Sequence, residues 1–181
     1  MSRIFGEMRQ LAFVVRDLDV ALEYWTKTLE VGPFYVLRDL VPDDWQYRGE
    51  PSPAPRLTLA LGYSGEFQIE LVKQHDEHPS AYRDFLASGR EGAHHVSSWV
   101  TRAEYDRNMA LARARGIQPA HEGSLTENHV RFVYFATETT PGGLYYEMAE
   151  VKEPPFKEIM ARIREIALHW EGSKPIRDEL P

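Results

Sequence analysis

The 181-residue sequence contains no cysteine, which excludes disulfides, thiolate nucleophiles, Cys-ligated zinc and iron–sulfur clusters. Any metal site must therefore be built from histidine, carboxylate and amide groups. Basic residues are also in the minority, since 21 Lys and Arg stand against 28 Asp and Glu, for a net charge of −7. This excess of negative charge disfavours nucleic acid and anionic membranes as partners, and it favours a small molecule.

The sequence also lacks an apolar run of the roughly 18 residues that a membrane helix needs. Its first ten residues, MSRIFGEMRQ, lack the apolar segment of a secretory signal. We therefore expect a cytoplasmic protein that has no membrane partner. The length fits one domain, or two small modules that share a core.

The order of predicted elements repeats once along the chain. Each half begins with a β-branched or aromatic strand, continues with a helix that stops at glycine, and ends with short strands. Because the order matches, we expect an internal duplication in an α+β protein. The expected parts are a first βαβββ module at residues 1–75, a connector helix at 76–90, a second βαβββ module at 91–152, and a C-terminal helix and tail at 153–181.

Two segments lie outside this repeat. Prolines at positions 42, 51, 53 and 55 predict a long polar loop that contains Trp45 and Tyr47 and borders a site. Residues 156–170 carry apolar side chains at helical spacing, which predicts an amphipathic helix. We expect this helix to cover the sheet or to contact a second subunit.

Four predicted strands alternate large apolar side chains with polar ones. A sheet covered by helices on one side buries the apolar set there and turns the other set to the opposite, inner face. By this alternation Gln10, Glu70, His95 and Glu147 share the inner face. Burying such groups costs several kcal/mol unless they are paired or bind a metal. A divalent ion held by two carboxylates, an imidazole and an amide oxygen would satisfy all four.

The alternation leaves some choices open. Glu70 and Glu147 could instead be edge residues that face water. Gln68 shares the inner face with Glu70 and could replace it as the ligand. The same register turns His94 to the helix-covered face, away from His95, where a packing role is expected.

Five segments, taken in order, resemble the vicinal oxygen chelate superfamily, which includes glyoxalases, bleomycin resistance proteins and dioxygenases. The resemblance covers about residues 8–151. It implies two βαβββ modules that form an open, U-shaped mixed sheet around a divalent metal ion, here with an extra C-terminal helix. The segments are QLAFVVRDLDVALEYW from Gln10, EVGPF from Glu30, FQIEL from Phe67, GAHHV from Gly92 and GLYYEM from Gly143.

In this superfamily the first and last strands of each module supply the metal ligands, which here implies Gln10, Glu70, His95 and Glu147. The order Gln, Glu, His, Glu is similar to that of eukaryotic-type glyoxalase I. The GPF and HH segments are more similar to methylmalonyl-CoA epimerases, and the His, His, Glu set of extradiol dioxygenases is not matched. Such ligands accept zinc, nickel, cobalt or manganese.

The resemblance implies a metal-dependent lyase or isomerase of the glyoxalase or epimerase type. Such an enzyme promotes proton transfer next to a metal-bound carbonyl through an enediolate, with Glu147 as the base and Glu70 as its counterpart. The expected substrate is a small carbonyl compound or a thioester, and a homodimer is expected. Alternatives are a metal-free protein that sequesters an aromatic or drug-like ligand, or a dioxygenase-like relative. Candidate substrate contacts are Gln68, Trp99, Arg131 and Tyr145.

Overall fold

The computed structural model describes residues 1–125, 130–138 and 143–181. Within these residues eleven strands form one mixed, open sheet, and helices cover parts of it, so the predicted α+β fold class is confirmed. The strands are β1 Met8–Val14, β2 Phe34–Leu40, β3 Asp43–Tyr47, β4 Glu50–Pro51, β5 Leu57–Ser64, β6 Phe67–Gln74, β7 Gly92–Trp99, β8 Pro119–Leu125, β9 Val130–Phe135, β10 Tyr145–Ala149 and β11 Ile176–Arg177. The helices are α1 Leu18–Glu23, which continues as a π-helical turn over Tyr24–Thr28, α2 Ala81–Ala87, α3 Arg102–Ala114 and α4 Phe156–Leu168. No helix in these ranges is long and apolar enough to cross a membrane.

The two halves of the chain repeat one topology. The strand order is β11-β2-β5-β6-β1-β7-β10-β9-β8-β3-β4. In each half the first strand pairs in parallel with the last one, β1 with β6 and β7 with β10. The two first strands then pair antiparallel with each other at the centre of the sheet. This pairing brings the four strands that carry the predicted ligands side by side.

Helices α1 and α3 cover the outer face of the sheet, as the apolar periodicity predicts. Asp17 caps α1 by accepting hydrogen bonds from two backbone amides, and Thr101 with Glu104 forms a capping box at α3. Leu22 of α1 packs on the first half, and Met109 of α3 packs on the second. The apolar alternate positions of the strands are therefore used on this face, and the inner face is left for the polar positions.

The predicted loop around Trp45 is instead built of two short strands, which is a correction to the sequence interpretation. Strand β3 pairs with β8, so a segment of the first half extends the edge of the second half. Pro51 lies in β4 at the outer edge of the sheet, where a missing amide hydrogen breaks no ladder. Trp45 is buried, and its indole nitrogen donates to the carbonyl of Pro79 at 3.1 Å.

The C-terminal segment folds back onto its own chain. Met160 and Ile163 of α4 pack on the inner face of the first half. Strand β11 then pairs with β2, and the Trp170 ring lies against Gly32, where a side-chain carbon would stand only 3.0 Å from it. The helix thus covers the sheet, one of its two expected positions, and a homodimer stays a prediction.

Candidate functional site

A cavity of about 120 Å³ lies between the inner face of the sheet, α2 and α4. Most of its wall is apolar, with leucines from β2 and β5 on one side and Phe132 of β9 on the other. One end is polar because the non-packing positions of the four central strands meet there. The polar side chains that line it are Gln10, Gln68, Glu70, Tyr82, Tyr134 and Glu147.

His95 lies directly behind the polar end and is fully buried. Its Nε2 atom is 3.2 Å from Glu70 Oε2 and 3.7 Å from Glu147 Oε2. The Tyr134 hydroxyl lies 3.1 Å from the same nitrogen. One imidazole nitrogen therefore meets a carboxylate from each half of the chain.

Burial controls the protonation of this group. It raises the pKa of the Glu70 carboxyl to about 8 and lowers the pKa of His95 to about 4, with Glu147 opposing the latter shift. Burial also raises the pKa of Glu147; His95 opposes that rise and Glu70 adds to it. Near neutral pH the imidazole is therefore neutral and Glu70 holds a proton.

The two glutamines at the site differ in how their polar atoms are satisfied. Gln10 Nε2 donates to Gln68 Oε1 at 2.7 Å, while the buried Gln10 Oε1 has no hydrogen-bond partner. Gln68 Nε2 is 3.1 Å from the Tyr63 hydroxyl and 3.2 Å from the Met160 sulfur. A buried amide oxygen without a donor is unusual, and it leaves Gln10 free to bind a ligand or an ion. Gln68, whose oxygen is already occupied, is not free in this way.

The donors fit a divalent ion in chemistry, although they do not enclose one as they stand. Ligand atoms about 2.1 Å from a tetrahedral ion lie roughly 3.4 Å apart, close to the separations of His95 Nε2 from the two carboxylates. In the described part of the chain, however, no group of three or more His, Asp or Glu side chains is arranged so that it could hold a metal ion. Binding would therefore require rotation of Glu70 and Glu147 toward a common centre.

The site also contains two tyrosines that the sequence interpretation missed. The Tyr82 hydroxyl of α2 donates to the Tyr134 hydroxyl at 2.9 Å, and Tyr134 in turn reaches His95. Tyr134 is the antiparallel partner of Glu147. Extending the period-two alternation to β9 would have placed Tyr134 on the inner face, but nothing in the sequence locates Tyr82 beneath it.

His94 departs from the predicted alternation. The pairing of β1 with β7 shifts by one residue here, since Ala12 pairs with His95 and Phe13 with Ala93, so His94 forms a β-bulge. Its ring therefore does not turn to the face covered by α3. It lies against α2, stacks on Tyr145 at 4.8 Å between ring centroids, and places its Nδ1 3.0 Å from His95 Nδ1.

The four candidate substrate contacts separate into two pairs. Gln68 and Trp99 line the cavity, whereas Arg131 and Tyr145 line two separate depressions outside it. Arg131 lies at an outer-face position of β9, where Glu150 and Asp106 bind its guanidinium. Tyr145 shares the inner face with Glu147 but lies beyond the cavity, against His94. These positions do not favour Arg131 and Tyr145 as substrate contacts, and that expectation stays a prediction.

Comparisons with known proteins agree with this architecture. The family model described as Glyoxalase/Bleomycin resistance protein/Dioxygenase superfamily matches residues 9–135. Methylmalonyl-CoA epimerase from Mycobacterium tuberculosis is a similar solved structure, with a TM-score of 0.57 and 21% identity over 82% of this chain and 90% of that one. The hypothetical protein BH1468 from Bacillus halodurans C-125 gives a TM-score of 0.55 and 19% identity over 81% and 95%.

A further similar structure is a methylmalonyl-CoA epimerase in complex with methylmalonyl-CoA and NH4+, with a TM-score of 0.52 and 17% identity over 80% of this chain and 94% of that one. Identities this low support the shared fold alone. A search of curated protein sequences gives no match. The family model covers more than half of the chain, and this protein therefore belongs to the glyoxalase/bleomycin resistance protein/dioxygenase superfamily.

Proposed function

We propose that this protein is a metal-dependent lyase or isomerase that moves a proton next to a carbonyl group. One observation carries the proposal: a carboxylate from each half of the duplicated sheet approaches His95 Nε2 at the polar end of an otherwise apolar cavity. Among the described residues no lysine or arginine lines this cavity. The two acids therefore have no Lys or Arg to balance their charge, and a bound divalent ion would supply that positive charge.

Four side chains would hold the ion: Gln10 through its free amide oxygen, Glu70, His95 and Glu147. Glu70 is proposed rather than Gln68, because the Gln68 oxygen already accepts a hydrogen bond from Gln10. A divalent ion in this position supplies Lewis-acid polarisation of a carbonyl oxygen, which acidifies the neighbouring C–H bond. The donor set suits zinc, nickel, cobalt or manganese.

Glu147 is the proposed base, because its carboxylate lines the cavity and is farther from His95 Nε2 than that of Glu70, at 3.7 against 3.2 Å. A buried carboxylate with a raised pKa holds the proton more strongly than one in water, so it is better suited to remove a carbon-bound proton near neutral pH. Glu70, from the opposite half, would hold or return a proton on the other side of an enediolate intermediate. The apolar walls exclude water from this exchange.

The size of the cavity limits the substrate. At about 120 Å³ it is smaller than the roughly 300–1,000 Å³ of pockets that take drug-sized ligands, so it would hold only the reacting group. A depression of about 500 Å³ shares Trp99 and Met160 with the cavity. An acidic carrier group on a thioester substrate would find basic side chains there. They are Arg9, Lys152, Lys157 and Arg164; the first, second and fourth form ion pairs with glutamates, which an acidic group would have to displace.

The proposal is tested by metal content and proton exchange. Protein purified without chelators is analysed for metal, reloaded with zinc, nickel, cobalt or manganese, and incubated in D2O with a panel of enolisable carbonyl compounds and thioesters. We expect about one divalent ion per chain and deuterium incorporation next to the carbonyl. His95→Ala should lose both, whereas His169→Ala, which changes an exposed histidine of the C-terminal tail, should retain both.

The apolar walls favour a second candidate, a metal-free protein that sequesters an aromatic ligand. In that case the protein would bind no metal at any stage, exchange no substrate proton, and bind small aromatic compounds equally well as wild type and as His95→Ala. That combination of results would replace the enzyme proposal.

A further inference from the structure

The donors and acceptors around the buried pair His94 and His95 determine which ring nitrogen of each histidine carries the proton. The chain of contacts begins at the backbone of α2. His94 Nε2 lies 3.3 Å from the carbonyl oxygen of Ala81, which can only accept a hydrogen bond. His94 must therefore carry a proton on Nε2.

A neutral imidazole has one N–H group, so His94 Nδ1 is left as an acceptor. The atom 3.0 Å away from it is His95 Nδ1, which must then be the donor. Both rings are fully buried, and burial favours their neutral forms, while Glu147 near His95 Nε2 acts in the opposite sense on His95. His95 consequently has its proton on Nδ1 and a bare Nε2.

The other side of His95 agrees with this direction. The Tyr82 hydroxyl donates to the Tyr134 hydroxyl, whose own proton can go to His95 Nε2 at 3.1 Å or to the Glu147 carboxylate. Protonated Glu70, at 3.2 Å, is a second donor that a bare His95 Nε2 can accept from. With Tyr134 as the donor, the hydrogen bonds run in one sense, from Tyr82 through Tyr134, His95 and His94 to Ala81. This series of hydrogen bonds begins and ends in α2, at the adjacent residues Tyr82 and Ala81.

We propose that His94 is a positioning residue that fixes the tautomer of His95, so that the Nε2 lone pair faces the cavity. The β-bulge in β7 makes this possible, because strict alternation would have turned His94 to the opposite face. Only the use of that lone pair, as a ligand to a divalent ion, rests on the proposed function. The tautomer itself is a property of the metal-free protein.

Long-range 1H–15N correlation spectra of the metal-free, 15N-labelled protein report which nitrogen of each histidine is protonated. We expect His95 to be protonated at Nδ1 and His94 at Nε2. His94→Phe keeps an aromatic ring beside Tyr145 and removes the acceptor, so His95 should shift toward the Nε2–H form. His94→Asn offers an amide oxygen near the position of Nδ1 and should retain the wild-type His95 tautomer.

His121→Phe is the matched control. It removes another buried histidine that contacts Ala81, here through the backbone N–H at 3.1 Å, but it leaves the His94–His95 contact in place. Its His95 tautomer should equal that of the wild type. If His94→Phe does not fold, the wild-type and His94→Asn spectra still decide the question.

Metal affinity gives a second measurement. Loss of a partner that orients a metal-binding histidine typically weakens affinity about 10- to 100-fold. We expect that loss of zinc affinity for His94→Phe, with His94→Asn and His121→Phe staying near the wild type. A wild-type His95 protonated at Nε2, or an unchanged Nδ1–H form in His94→Phe, overturns the inference. The predicted tautomers in a protein that never binds metal would instead overturn only the proposed function.

Discussion

Two regions of this protein bury carboxylates, and they balance the buried charge in different ways. Glu150 follows β10 and its side chain is fully buried, but Arg102 and Arg131 bind its two oxygens at 2.7 and 2.6 Å. Glu70 and Glu147, on the inner face, approach only a neutral imidazole and hydroxyl groups. The chain therefore supplies two cations to one buried acid and none to the other two.

The difference separates a carboxylate that its own chain neutralises from the two carboxylates that we propose are functional. A buried acid that only holds the fold together is stable when its own chain neutralises it, as at Glu150. Acids left without a cation carry raised pKa values, which burial produces at Glu70 and Glu147. Such groups are available to bind an ion and to exchange protons. Substitutions in the two regions should therefore affect different properties of the protein.

The largest effect is expected at the proposed base. Glu147→Gln preserves shape but cannot accept a proton from carbon, so kcat should fall on the order of 10²- to 10⁴-fold while substrate binding changes little. The measurement is steady-state kinetics on the substrate identified by deuterium exchange, with substrate affinity measured separately. Unchanged turnover would remove Glu147 from the mechanism.

The next effect concerns stability and pH. The folded metal-free protein keeps a proton on Glu70 up to about pH 8, whereas the unfolded chain releases it above a pKa of about 4.5, so stability falls as pH rises between these values. Neutral, buried His95 destabilises the fold only below its unfolded pKa of 6.5. Between pH 6.5 and 8 we therefore expect a loss of about 2 kcal/mol in the free energy of unfolding.

Urea denaturation at several pH values measures this loss. Glu70→Gln has no proton to release and should show a smaller slope than the wild type. Zinc-loaded protein should also lose the slope, because an ion would keep Glu70 ionised in the folded state. An equal slope in wild type and Glu70→Gln would mean that Glu70 is not protonated in the fold.

At the structural carboxylate the expected effect is on folding alone. Arg131→Ala removes one of the two cations that bind Glu150, and loss of a hydrogen bond to a buried charge should destabilise the protein by about 1.5 kcal/mol. KM and kcat should remain near their wild-type values, because Arg131 lies outside the cavity. A large rise in KM would restore Arg131 as a substrate contact.

The smallest effect distinguishes two aromatic candidates. Trp99 lines both the cavity and the depression of about 500 Å³ beside it. Trp99→Ala removes its apolar contact with the substrate, and the loss of about 1 kcal/mol should raise KM about fivefold. Tyr145→Phe, whose ring lies against His94 outside the cavity, should leave KM unchanged. Equal KM values for the two variants would contradict the position assigned to the substrate.

The strand alternation was sufficient to predict the inner face, because the period of two is a local property of each strand. Gln10, Glu70 and Glu147 accordingly line one cavity with His95 behind it. Other features depend on contacts between distant residues. The one-residue shift that reorients His94 leaves no local sign in the sequence, and the partner of Arg131 is 19 positions away. The proline-rich segment near Trp45 was predicted to be a loop, because the strand it pairs with, β8, belongs to the other half of the chain.

That pairing between β3 and β8 has a consequence for how the molecule can be divided. A duplicated protein whose halves only met at their first strands could be separated at the connector into two self-contained fragments. Here each fragment would lose an edge partner, because β3 of one half completes the sheet of the other. The chain must also close a loop of about 75 residues before that edge forms, which slows folding more than it reduces stability. The repeated strand order thus still shows the duplication, but the pairing of β3 with β8 makes the two halves depend on each other for a complete sheet.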